Sequence, residues 1–153
     1  MTTTLRCYTG TNAATESADI DAIALMDIDA ATNDPTHNKI AVPGYSYEKW
    51  LAVKFDDAGG KSFTNFWLER TGDLPEGVVI KMGTSSTGKT PVATKSTIAT
   101  ETVAAGRHYI WDTDIYDTSG TRTVYLVLQA QVAAGAASGN LDQQAFTIGY
   151  SQS

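Results

Sequence analysis

The chain has little of what usually staples or anchors a protein. Its 153 residues include one cysteine, Cys7, which excludes an internal disulfide and any cysteine-based zinc cluster and suits a reducing compartment or a fold without that chemistry. Cys7 is expected as a small core residue. Histidine occurs only at His37 and His108. Neither stands at a ligand spacing from the other or from Cys7. No apolar run approaches the ~20 residues of a membrane span. Residues 1–6 lack the charged start and apolar stretch of a secretory leader, so neither a membrane nor export by such a leader is expected. The eleven Lys and Arg are scattered and outnumbered by seventeen Asp and Glu, giving a net charge of −6. That argues against nucleic acid as a partner, because affinity for phosphate backbones is built from clustered basic side chains.

Leu, Glu, Lys and Arg, the usual material of exposed helices, are also sparse. What fills the chain instead is threonine, glycine, alanine and β-branched residues, a composition that favours strands. At this length one domain with a core of its own is expected over residues 1–153, with flexible polar ends at about 1–4 and 151–153.

One stretch carries a motif. Gly83 to Thr90 reads Gly-Thr-Ser-Ser-Thr-Gly-Lys-Thr after the apolar run Val78 to Met82, and so satisfies the G-x-x-x-x-G-K-[ST] pattern of phosphate-cradling loops. That chemistry needs a helix opening at Lys89 and Thr90, whose free N–H groups and dipole hold the phosphates. The residues after Pro91 are threonine-rich and lack a helical repeat, so they read as loop and strand. Nor does an apolar strand end convincingly in a magnesium-directing aspartate; Tyr109-Ile110-Trp111-Asp112 is the nearest. A nucleotide binder built on Gly83 to Thr90 stands as the weakest of the functional readings.

Two acidic clusters invite calcium, which takes several hard oxygen ligands. Asp19, Asp21, Asp27 and Asp29 flank an apolar run as solvated strand ends do, and Asp112, Asp114 and Asp117 do not follow the spacing of the twelve-residue calcium loop. Solvated acids are the expectation at both, with no metal and no cofactor. His37 falls in a turn-rich connection, and no serine, cysteine or carboxylate stands at a recognisable catalytic spacing from His108. With no catalytic constellation, no enzymatic activity is expected.

Strands are expected over residues 5–9, 19–29, 45–55, 62–70, 78–82, 98–103, 108–111, 122–132 and 144–150. Within 45–55, alternation places Tyr45, Tyr47, Leu51, Val53 and Phe55 on one buried face, and the strand is expected to form a hairpin with 62–70. Strand 122–132 reads as central, with Leu126, Leu128 and Ala130 on one face and Tyr125, Val127 and Gln129 on the other. Residues 83–90 and 133–140 read as loops. Regular strands, glycine and proline turns and few or no helices give an all-β antiparallel β-sandwich, jelly-roll or immunoglobulin-like.

Phe63-Thr64-Asn65-Phe66-Trp67, residues 74–83 with the Thr/Ser loop and Thr90-Pro91, the strand Tyr125 to Val132, the Ala/Gly/Ser loop and the closing Phe146-Thr147-Ile148-Gly149-Tyr150 together resemble small virion proteins of tailed bacteriophages. The type they look like is the β-sandwich head decoration, or cement, protein. The resemblance covers most of the chain from about Tyr45 and has no diagnostic motif. It implies a non-enzymatic structural protein, made in the host cytoplasm, that binds the major capsid protein on the outside of the shell and stabilises it, often as a homotrimer. An N-terminal arm of Thr2, Thr3, Thr4 and Leu5 is the expected contact with the shell. A tail, neck or fibre module binding a protein or a host glycan is the alternative, with Trp50, Trp67 and Trp111 as stacking candidates. Trp67, among Phe63, Phe66 and Leu68, is expected in the core.

Overall fold

A computed structural model describes residues 3–17, 25, 40, 42–55, 63–71, 74–111, 125–136 and 145–152. Among these residues ten strands form two antiparallel sheets: β1 (Thr3–Thr9), β2 (Thr15–Glu16), β3 (Gly44–Tyr45), β4 (Lys49–Phe55), β5 (Phe63–Thr71), β6 (Val78–Ser85), β7 (Glu101–Thr102), β8 (Gly106–Trp111), β9 (Tyr125–Val132) and β10 (Ala145–Gln152). The larger sheet runs β2-β1-β4-β9-β6-β7, with β3 also beside β9, and the smaller runs β10-β5-β8. Among the described residues the only helical turn is a 3-10 turn at Thr11–Ala13. This is the all-β sandwich of the sequence.

The core between the sheets follows from alternation. Leu126, Leu128 and Ala130 of β9, Ile80 and Met82 of β6, Leu51 of β4 and Cys7 of β1 turn inward to meet Leu68 of β5, with Phe146 and Ile148 of β10 packed alongside. Each fully buried Leu, Ile or Met among them contributes about 1.5–3 kcal/mol. Cys7 is buried, as expected.

The expected strand over 45–55 is interrupted. Tyr45 pairs with Gln131 and Lys49 with Leu128, so four residues on one side match three on the other. The extra residue is a bulge, and it reverses the alternation. Tyr45 therefore shares a face with Gln131, while Leu51 points into the core. Beyond the bulge both faces of β4 are buried, because Trp50 is fully enclosed on the outer side. The expected hairpin is also absent. Both flanks of β4 are taken, by β1 and β9, so β5 crosses to the other sheet and pairs with β10 and β8.

Other boundaries shift as well. Residues 15–16, outside every expected strand, form β2, and β6 continues through Gly83 to Ser85, which pair with Val127, Leu126 and Tyr125. The ends are strand: Thr3 and Thr4 pair with Phe55 and Lys54, and Ser151 and Gln152 with Thr64 and Phe63. Leu5 is half-buried against the inter-sheet core. Thr3, Thr4 and Leu5 thus form part of β1 and not a loose arm; Thr2 lies outside the described residues. So do the expected strand 19–29, apart from the buried Leu25, the connection holding His37, and both aspartate clusters.

The outer face of the larger sheet carries a second core of Tyr8, Trp50, Ala52, Tyr125 and Val127. Its rings meet edge to face, Tyr8 with Tyr125 at 5.3 Å and Trp50 with Tyr125 at 5.4 Å between centroids. Residues 86–100 cover it as an extended strap crossing the strands, with Ile98 and Ala99 packed onto the cluster. Three polar side chains, Gln129, Ser96 and Glu48, hold the strap down. Gln129 accepts from Ser96 N at 3.0 Å and donates to the carbonyls of Ser46 and Thr94. Ser96 Oγ donates to Glu48 at 2.6 Å and accepts from the N–H groups of Ile98 and Ala99. Glu48 Oε1 accepts from Val92 N, and Ser46 Oγ accepts from Ala130 N inside the bulge. Buried polar groups are tolerable on these terms because each has a partner.

Removing the hydroxyl at the centre of this network should be costly. Ser96→Ala leaves the Ile98 and Ala99 N–H groups and Glu48 short of partners and is expected to destabilise by about 2–3 kcal/mol. Urea unfolding monitored by circular dichroism measures it, and an unchanged midpoint would show that the network does not secure the strap.

Candidate functional site

The smaller sheet has one face on the core and one turned out. Along β5, Phe66 and Leu68 are fully buried and Arg70 nearly so, while Trp67 and Glu69 between them stand half-exposed on the outer side. Strand register sets two rows there. Glu69 lies between Thr147 of β10 and Arg107 of β8, and Trp67 between Gly149 of β10 and Tyr109 of β8. Arg107 closes the arrangement diagonally. Its guanidinium lies 4.0 Å from the centroid of the Trp67 ring and its Nε donates to Glu69 Oε2 at 3.1 Å. A Cβ at residue 149 would collide with the indole, so the absence of a side chain at Gly149 lets the ring lie across the β10 backbone.

Energetically this cluster is modest. An exposed cation–π contact contributes about 0.5–1 kcal/mol and an exposed ion pair about 0.2–1 kcal/mol. Its effect is orientation: an indole, a guanidinium and a carboxylate fixed on a sheet. Trp and Arg are the residues most enriched in the energetic centres of protein interfaces.

Trp67 is therefore not a core residue. The expectation grouped it with its sequence neighbours, whereas alternation places it opposite Phe66 and Leu68. The core tryptophan is Trp50, and nothing is described of the Trp111 side chain. As a sugar platform Trp67 is compromised, since its ring already carries Arg107 and lies on Gly149. Arg107 and Gly149 were not singled out from the sequence, because their roles depend on a register across three strands.

The phosphate-loop pattern resolves differently. No helix follows Lys89 and Thr90; the chain passes into the strap. In phosphate loops the glycines admit a close backbone approach to the anion. Here a Cβ at Gly83 would strike the Ile98 carbonyl, and one at Gly88 the Asn12 carbonyl. Thr90 Oγ1 accepts from Asn12 N at 3.1 Å, and Lys89 is exposed. Both glycines thus serve close contacts of the chain with itself.

Of the remaining candidates only His108 lies among the described residues. His108 Nε2 lies 3.0 Å from the Ala104 carbonyl, on a register opposite Leu68. Among the described residues no three His, Cys, Asp or Glu cluster as metal ligands. A cleft of about 420 Å³ opens beside Pro43, Tyr45, Val79, Gln131 and Val132, and its lining contains no carboxylate, histidine or lysine. No protein-family model matches the chain, and no curated protein or solved structure does.

The reading of Gly83 is directly testable. Gly83→Ala is expected to lower stability by about 1–3 kcal/mol, the usual cost of overpacking a closed contact. Chemical denaturation checks this; stability equal to wild type would mean that the strap does not rest on Gly83.

Proposed function

We propose that the chain is a non-enzymatic assembly protein that binds the outer surface of a tailed-phage capsid and stabilises the shell, as the resemblance of its sequence implies. One structural observation supports an adhesive role: the strap covers the aromatic cluster on the outer face of the larger sheet, whereas the smaller sheet presents an outward face on which Trp67, Arg107 and Glu69 are held in fixed relation. Such a face offers an aromatic anchor with charged groups of both signs around it, as protein-binding surfaces do. On a shell with repeating symmetry, individually weak contacts of this kind add through multivalency. The contact is proposed for the smaller sheet because the strap is secured on the other.

The glycan-binding alternative has less support, because the Trp67 ring is occupied and Trp50 is enclosed. For the nucleotide alternative, the pattern from Gly83 to Thr90 lacks the helix on which phosphates would sit.

The test is co-sedimentation with expanded and unexpanded shells assembled from the capsid protein encoded in the same source genome. Saturable binding to expanded shells is expected, weakened about tenfold or more by Arg107→Ala, the scale of an interface hot spot. No binding to either shell would sink the proposal, and undiminished binding by the variant would move the contact off this face. Calorimetry with ATP and GTP should show no heat of binding; a signal abolished by Lys89→Ala would favour the nucleotide reading.

A further inference from the structure

A sheet edge is a row of unpaired N–H and C=O groups, and proteins blunt such edges with short strands, charges, prolines or bulges. The two sheets present four ends. The larger ends in β2 and β7, each two residues long and each carrying a glutamate, Glu16 and Glu101. The smaller ends on one side in β8, which carries Arg107 and His108. On its other side is β10, Ala-Phe-Thr-Ile-Gly-Tyr-Ser-Gln over eight residues, with no acid, base or proline. Among the described residues only β5 pairs with β10, and no strand among them pairs with its far edge. A register irregularity falls between Gly149 and Ser151, so Ala145 to Gly149 remains a regular ladder.

We infer that the Ala145–Gly149 edge of β10 is a self-association site, pairing antiparallel with the same edge of a second copy of this chain. Charge selects the occupant. A protein of net charge −6 repels its own copies over most approaches, and this uncharged edge is where two can meet without opposing like charges. A two-fold axis at Thr147 sets Thr147 against its own counterpart, Phe146 against Ile148 and Ala145 against Gly149. Threonine pairs and aromatic to β-branched pairs are favourable cross-strand neighbours, and an isologous contact of this kind closes on itself. The two three-stranded sheets become one of six strands. The Trp67 indole, carried across Gly149 toward the edge, brings apolar surface to the same seam. The inference does not rest on the capsid reading.

Sedimentation velocity over a concentration series tests it. Wild type is expected to be a dimer, and Thr147→Lys, whose side chain is exposed and would face its own copy, should raise the dissociation constant by at least about tenfold with unchanged circular dichroism. If Thr147→Lys does not fold, Thr147→Cys gives the second reading, since the natural Cys7 is buried. Oxidation should cross-link Thr147→Cys into a covalent dimer and leave Ser86→Cys, exposed on the strap, uncrosslinked. A wild-type monomer, a trimer, a dimer indifferent to Thr147→Lys, or equal cross-linking at both positions would each overturn the inference.

Discussion

The larger sheet depends on one buried amide. Gln129 stands on the outer face of the central strand, where an apolar residue would be the simpler choice, and it holds Ser46 below and the strap above through three hydrogen bonds. An unpaired amide there would cost about 1–3 kcal/mol, so the residue is tolerable only while the strap is docked. The strap in turn covers Trp50, Tyr125 and Val127. Polar satisfaction and apolar burial thus enforce each other: neither the second core nor the network is complete without the same fifteen or so residues lying across the strands.

That closure divides the molecule by role. Material which in a plain sandwich would leave both outer faces wet has been spent on one sheet, whose outer side becomes interior. The other sheet keeps three strands, an outward cluster held by register, and an edge without charge. In that cluster each group is oriented by a neighbour: Trp67 by Gly149 and Arg107, Arg107 by Glu69.

Much of the fold was legible because period-two alternation survives in the central strands. Both faces of β9 were assigned correctly, and the polar marks on its second side, Gln129 and Gln131, belong to the face the strap covers. Two features escaped for physical reasons. The bulge between Tyr45 and Lys49 adds one residue, which no local pattern declares, so the alternation of Tyr45 could not be carried through to Leu51. The β4 to β5 connection looked like a hairpin because the two strands are adjacent in sequence, yet pairing is decided by which edges remain vacant. The outward cluster was least legible of all. Trp67 could have been placed by counting from Leu68, but Arg107 and Gly149 join it through pairings of residues remote in the chain. The phosphate-loop pattern shows the converse: two glycines at the right spacing report close backbone approach, and the sequence does not say to what.

The strap also bears on time as well as energy. Its anchors come from Asn12, Glu48, Gly83 and Gln129, which are neighbours only after β1, β4, β6 and β9 have paired, so the entropy of closing those long loops is met before the strap's contacts return anything. Contacts formed that late are weak in the transition state, and stabilisation of that kind acts on the rate of unfolding more than on the rate of folding. The fastening across the larger sheet therefore confers persistence, a slow exit from the native state.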